Sequence, residues 1–257
     1  MKKSTLRDRE ISLSSKLLII IFWIIISRII DNDIILPTIT STVNGLGKII
    51  SNPNFFNIIG YSILRSLFGF VISLSIAILM GVLARISKFI YNLMVPFVNF
   101  LSSTPTIAII ILALIWLNNE IVPLFVGFIM VFPILYETIL KSMLNIDNKV
   151  LEMAKVYNVN RMNIIKEIYL PSIFIGLSNI LSSAMGINLK MVIAGEVLSQ
   201  PRYAIGTNLQ LQKIYLNTSG VFAWIIIILA IGKLYEYLMK GLVLCIKSKR
   251  YLSPMEN

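Results

Sequence analysis

The sequence has no histidine and a single cysteine, Cys245. Catalysis through an imidazole, a disulfide within the chain and a Cys/His zinc site are therefore excluded. Charge is scarce as well. Only 14% of residues are charged, against about 25% in a typical soluble domain. No Gly-x-x-x-x-Gly-Lys-Ser/Thr run occurs; Gly45-Leu46-Gly47-Lys48 and Gly232-Lys233 lack its spacing. Energy for any transport must then come from another chain or from a gradient. Carboxylates are nowhere clustered at a spacing suited to metal binding or acid–base work, so no catalytic residue, metal or cofactor is expected. The first apolar run, Leu17 to Ile30, lacks a small-residue cleavage site and reads as a retained span, not a signal peptide. There is no internal repeat.

What the chain does have is apolar length. It is 57% hydrophobic over 257 residues, with a mean hydropathy of +0.84. These values make lipid its solvent. The fold class expected is all-α, a polytopic membrane protein with about six transmembrane helices. They run over Leu13–Ile30, Tyr61–Ala84, Val95–Leu117, Ile121–Leu140, Ser172–Val192 and Val221–Leu244. Each is long enough for a hydrocarbon core of about 30 Å. Asn118 to Glu120 leaves room only for a tight hairpin between the third and fourth. The organisation expected is an N-terminal tail over 1–12, a membrane domain over 13–245 and a C-terminal tail over 246–257.

The net charge of +11 is a topology signal, not a nucleic-acid footprint. Lys2, Lys3, Arg7, Arg9 and Lys16 precede the first span. Arg85 and Lys88 follow the second, and Lys141, Lys149, Lys155, Arg161 and Lys166 follow the fourth. Lys247, Lys249 and Arg250 end the chain. The alternate loops hold Lys48, Arg202 and Lys213 with four acidic residues. The positive-inside tendency then puts both termini and the loop after the fourth span in the cytoplasm. On the outer side, Ile39, Val43, Leu46, Ile49 and Ile50 recur at helical spacing. They predict a short amphipathic helix at the interface. Ser199 to Gly220 is the second long outer segment.

Polar residues inside the spans carry alternative readings. Ser178, Ser182 and Gly186 recur every four residues on the fifth span. Small residues so spaced allow close helix approach, either along a pathway or second-subunit face or in packing within one chain. Lys190, Glu196 and Arg202, near the outer end of that span, either line an outer gate that attracts an anion or meet neighbouring helices. Arg28, Arg65 and Glu137 are expected to snorkel toward headgroups. Lys233 is expected to pair with Glu236 one turn later.

One segment breaks the apolar pattern, "VLEMAKVYNVNRMNIIKEIYLP", from Val150 to Pro171. Glu152 to Tyr157 predicts a short helix with Met153, Val156 and Tyr157 toward one side. Asn158 and Asn160 fall at a turn, and Asn tolerates the left-handed region. A second short helix, Met162 to Tyr169, sets Met162, Ile165, Ile168 and Tyr169 at helical spacing. Pro171 suits the first turn of the helix that follows. The segment reads as helix, turn and helix, with an apolar face ringed by charge, as a partner's docking surface would be.

These residues resemble the cytoplasmic signature of permease subunits of ATP-binding-cassette importers. The family pattern is Glu-Ala-Ala, a Gly four residues after the second Ala, and Ile-x-Leu-Pro ending the run. Glu152 and Ala154 match its opening, and Ile168, Leu170 and Pro171 match its end. Met153 replaces the middle Ala, and Asn158 stands where the family has Gly. "SILRSLFGFVISLSIAILMGVL", "PFVNFLSSTPTIAIIILALIW", "FPILYETI" and "VIAGEVLSQPRYAIGTNL" look like the nitrate, sulfonate and taurine branch. The resemblance covers most of Leu36 to Tyr237.

The resemblance implies a type I importer permease in a bacterial cytoplasmic membrane. Two permease subunits, a homodimer in this branch, would form the pathway. Two separate ATPase subunits would grip the cytoplasmic segment, and an extracytoplasmic solute-binding protein would deliver substrate. That substrate would be a small organic or inorganic anion, or a thiamine-precursor pyrimidine. The rival readings are a gradient-driven transporter or channel, and a membrane enzyme. The first lacks a central carboxylate relay and matched broken helices; the second lacks a catalytic constellation.

Overall fold

The computed structural model describes residues 6–251, with the side chains of 6–13, 16, 161 and 247–251 left aside. Most of the expected N-terminal tail, its basic residues with Lys16, and Lys247, Lys249 and Arg250 thus lie outside the described side chains. The described chain is helical, with no strand among the described residues. In order the helices are α1 (Leu6–Ile30), α2 (Ile39–Ile50), α3 (Phe55–Ile86), α4 (Lys88–Ser103), α5 (Thr106–Trp116) and α6 (Val122–Leu144). Then follow α7 (Asn148–Val156), α8 (Arg161–Ile164), a π-helical turn (Ile165–Tyr169), α9 (Leu170–Ser199), α10 (Ile205–Ile214) and α11 (Thr218–Tyr251).

Among the described residues, four segments are long and apolar enough to cross a bilayer, namely α3, α6, Met162–Ser199 and Thr218–Ile246. The third expected span is not one rod. It is divided into α4 and α5, which meet at 103°. Counted together they make a fifth span, against the six expected. The reason for the break is local. Thr104 precedes Pro105, whose ring disfavours the α region for its neighbour, and Thr104 takes an extended ψ of 130°. Within the described side chains, the apolar part of α1 runs Leu17–Ile30; the helix as a whole runs Leu6–Ile30.

The chain divides into two compact units. One comprises residues 1–57 and 208–229. Its α2 is the amphipathic helix expected from the spacing, started by Thr38, whose side chain accepts from the Ser41 N–H at 3.1 Å. Asp33 braces that start, accepting from the Thr38 N–H at 3.1 Å and the Ser41 hydroxyl at 2.7 Å. These bonds hold its carboxyl below the ordinary value of 3.8, Ser41 contributing more than Thr38. Trp23 Nε1 donates to the Pro37 carbonyl at 3.0 Å, and its ring lies 5.4 Å from that of Phe222.

The other unit comprises residues 58–207 and 230–257. Here α6 packs along α9, and α4 and α5 pack on α6. Ile110 and Ala113 of α5 meet Val122 and Val126 of α6 in a fully buried cluster. On α3 the buried positions include Ser62, Ser66, Gly69, Ser73, Ala77, Gly81 and Ala84. They recur every three or four residues, a small-residue stripe that lets neighbours approach closely. A Cβ at Gly69 would stand 3.0 Å from the Leu124 carbonyl oxygen of α6. On α11, Lys233 and Lys240 bracket Glu236 at 2.7 and 2.6 Å, so the pairing expected from spacing is present.

Candidate functional site: the docking segment and a buried charge junction

The segment from 148 to 171 is built as two short helices entering a long one. Asp147 starts α7 by accepting from the Lys149 N–H at 2.9 Å, which begins the helix earlier than Glu152. At its end the Val159 N–H returns to the Ala154 carbonyl at 2.9 Å. Asn158 makes that return with φ of 49°, the left-handed conformation that Asn and Gly adopt at least cost. Asn160 opens the next turn, its side chain accepting from the Met162 N–H at 3.3 Å.

From α8 onward the helix does not stop. It widens into the π turn and continues as α9, with the Leu170 N–H donating to the Ile165 carbonyl. Pro171 explains the widening. It has no N–H to return to Glu167, and its ring would strike that carbonyl in a regular helix. A five-residue bond closes the gap. The expected second helix, Met162 to Tyr169, is therefore part α and part π. Ile168 lies in the π turn and is half-buried; Leu170 is exposed.

The outward surface of this segment is apolar. Met153 is 58% exposed, Val156 and Tyr157 are each 77% exposed, and Met162 and Ile165 are exposed beside them. Glu152 and Asn158 are exposed, whereas Ala154 is buried within the chain.

The gate candidates separate into two groups. On α9, Ser178, Ser182 and Gly186 are half-buried and Lys190, one turn further, is exposed. A Cβ at Gly186 would meet nothing within 4 Å, so α9 is open at that position. Glu196 is different. It is fully buried and contacts Ser62 and Arg65 of α3. Ser62 reaches its two carboxylate oxygens at 2.8 and 2.9 Å, Arg65 Nη1 donates at 3.1 Å, and the Gly206 N–H donates at 3.1 Å. Ser62 in turn accepts from the Ile205 N–H at 3.0 Å. Gly206 fits because it has no Cβ: one would lie 2.5 Å from Glu196 Cβ.

Arg65 does not snorkel. It is 7% exposed and bridges three places. Besides Glu196, it donates to the Tyr203 carbonyl at 2.8 Å and, through Nη2, to Glu120. Glu120 Oε1 also accepts from the Arg202 N–H at 3.0 Å. Arg202 itself is exposed, with its guanidinium 5.2 Å from the Tyr203 ring. The two arms of this junction differ in strength. Removing one partner of a buried, hydrogen-bonded pair costs about 3–5 kcal/mol, which applies to Glu196. Glu120 is 55% exposed, so water replaces its partner and the tie contributes about 1 kcal/mol or less. Glu137, also expected to snorkel, bonds Lys141 at 2.7 Å. Arg28 is exposed.

A helical membrane chain without a Gly-x-x-x-x-Gly-Lys-Ser/Thr run, with an exposed apolar segment joined to one of its spans, fits the transport-permease class. The chain belongs to the family of binding-protein-dependent transport system inner membrane components, whose model matches residues 73–244. It is similar to a putative aliphatic sulfonates transport permease protein, SsuC, of Bacillus subtilis. They share 27% identity over 226 residues, 85% of this chain and 79% of that protein. A putative ABC transporter permease protein of Methanocaldococcus jannaschii is 25% identical over 242 residues, 90% of this chain and 88% of that one. Among solved structures, the inward-facing MetNI methionine ABC transporter matches with a TM-score of 0.59 at 16% identity. That match covers 74% of this chain and 93% of the other. The fold is that of a type I ABC importer permease, and the chain is a membrane-spanning permease subunit of binding-protein-dependent transport.

Proposed function

We propose that two copies of this chain form the pathway for a small anion of the aliphatic sulfonate kind. Residues 150–171 dock on a separate ATPase subunit beneath each copy, and both termini lie in the cytoplasm. An extracytoplasmic binding protein delivers the substrate. The observation that carries this reading is the exposed apolar face of Met153, Val156, Tyr157, Met162 and Ile165 on a segment continuous with α9. Leaving so many large apolar groups exposed on a polar segment is the mark of a partner surface. The sulfonate class rests on the named relative and on Lys190, exposed one turn beyond the open position at Gly186.

Glu152→Lys and Met153→Glu test the docking. Both positions are exposed, so insertion and folding should be retained. The ATPase should be lost from pull-downs, and uptake should fall with it. Full uptake in both variants refutes the docking role. Ala154 is a poorer probe, because a large side chain there would disturb α7 itself. Thermal-shift screening of the binding protein with alkanesulfonates, taurine, nitrate and pyrimidines tests the substrate class; stabilisation by the pyrimidine alone would reject the anion.

A further inference from the structure

The junction around Arg65 contains a buried acid that docking does not use, and its two arms are unequal. Glu196 is fully buried and accepts from three residues, whereas Glu120 is half in solvent. Glu120 lies in the short connection between α5 and α6, and Glu196 lies near the end of α9. We propose that Glu120 is a releasable tie of the transport cycle and that Arg65 and Glu196 are its positioning residues. Arg65 holds Glu120, and with it the α5–α6 connection, against the α9–α10 end. Glu196 keeps Arg65 neutralised when Glu120 lets go.

The logic is electrostatic. A buried guanidinium cannot release its sole carboxylate without standing unpaired in a medium where unpaired charge is costly. Two carboxylates on one guanidinium remove that obstacle. When Glu120 swings into water, Arg65 keeps Glu196 and the Tyr203 carbonyl. The weaker, wetter arm opens and the dry arm stays. The tie also sets a bias: losing an exposed pair of this kind raises the released population about fivefold, the equivalent of roughly 1 kcal/mol.

Each arm protects different backbone amides, which makes the two separable. The Arg202 N–H donates to Glu120, whereas the Ile205 and Gly206 N–H groups donate to Ser62 and Glu196. The experiment is residue-resolved hydrogen exchange on the importer in nanodiscs, resting and with nucleotide trapped on its ATPase. The tie predicts faster exchange at Arg202 in the trapped state and unchanged protection at Ile205 and Gly206. Equal protection throughout overturns it; so does exposure of all three amides, which would mean the whole junction opens.

The inference rests on the docking proposed above, and a second arm keeps the two apart. In the permease alone, Glu120→Gln should speed Arg202 exchange about fivefold with no change at Gly206 and no loss of folded protein. With the ATPase present, the same variant should hydrolyse ATP faster without binding protein. Failure of the ATPase to co-purify counts against the docking reading alone. Wild-type exchange at Arg202 in Glu120→Gln counts against the tie alone.

Discussion

Alanine at two glycines should move stability in opposite directions. Gly206 and Gly186 are both helical, on α10 and α9. At Gly206 a methyl group would lie 2.5 Å from Glu196 Cβ, 2.5 Å from the Val197 N and 2.6 Å from the Ile193 carbonyl oxygen. Ordinary carbon contacts are about 3.5–4.0 Å, so roughly 1 Å must be found, and two of the three obstacles are backbone. Overpacking of that kind costs about 1–3 kcal/mol. Displacement of the Gly206 N–H from the Glu196 carboxylate adds about 1.5–3 kcal/mol. The helix-propensity gain of at most about 1 kcal/mol returns only part, leaving a net loss of about 1.5–5 kcal/mol.

At Gly186 nothing stands within 4 Å, so alanine should gain about 0.5–1 kcal/mol. For a chain of this size 1 kcal/mol is worth about 2–4 °C. Scanning fluorimetry of detergent-solubilised permease should show Gly206→Ala melting roughly 3–20 °C below wild type. Gly186→Ala should melt slightly above it. A Gly206→Ala protein that melts at the wild-type temperature refutes the close approach. If Gly186→Ala stabilises the solubilised chain yet weakens its self-association, a second copy occupies the open side.

Two further outcomes follow from local geometry. Asn158→Gly should leave ATPase co-purification intact. Asn158→Val should impair it, because a left-handed backbone costs an ordinary side chain about 1–2 kcal/mol and a β-branched one more. Asp33, held below its ordinary value by Ser41 and Thr38, stabilises the start of α2 at any pH above the unfolded value and loses that effect as pH falls through its folded value. Hydrogen exchange at Thr38 and Ser41 should therefore be flat from about pH 8 to pH 5 once corrected for intrinsic rates, and accelerate only below about pH 4. Asp33→Asn should remove the acid step; a step retained in that variant excludes Asp33 as its source.

What the sequence made legible was local. The Lys233–Glu236 pair follows from helical spacing within one helix, and α2 follows from apolar residues three and four apart. The turn at Asn158 follows from residue type, since few residues accept its φ. Arg65 was not legible in the same way. Its carboxylates lie 55 and 131 residues away in sequence, and no periodicity rule links helices. The stripe of Ser62, Ser66, Gly69 and Ser73 was the available signal that this face of α3 packs inward. The break at Thr104–Pro105 was written in the Pro but hidden by the apolar run around it. Pro171 was read as a helix start. It does stand in the first turn of α9; because α8 begins earlier, the helical run also extends before it through the π turn.

That continuity through Pro171 matters for how motion would travel. From Met162 to Ser199 the helical run covers 38 residues, about 57 Å at 1.5 Å per residue. It ends where Gln200 turns left-handed, with φ of 49°. The exposed Met162 and Ile165 lie at one end, the Ser178–Gly186 face along the middle and Glu196 in the last turn. A rod with regular hydrogen bonds passes on a push at one end without absorbing it. The described irregularity is the π turn at Ile165–Tyr169, placed next to the exposed apolar segment by a residue that cannot complete a regular helix. The angle between that segment and the rod is thus set in one turn. On the docking proposed above, a tilt imposed there would reach the far end of the rod, close to the exposed Glu120 contact with Arg65 and the Arg202 N–H.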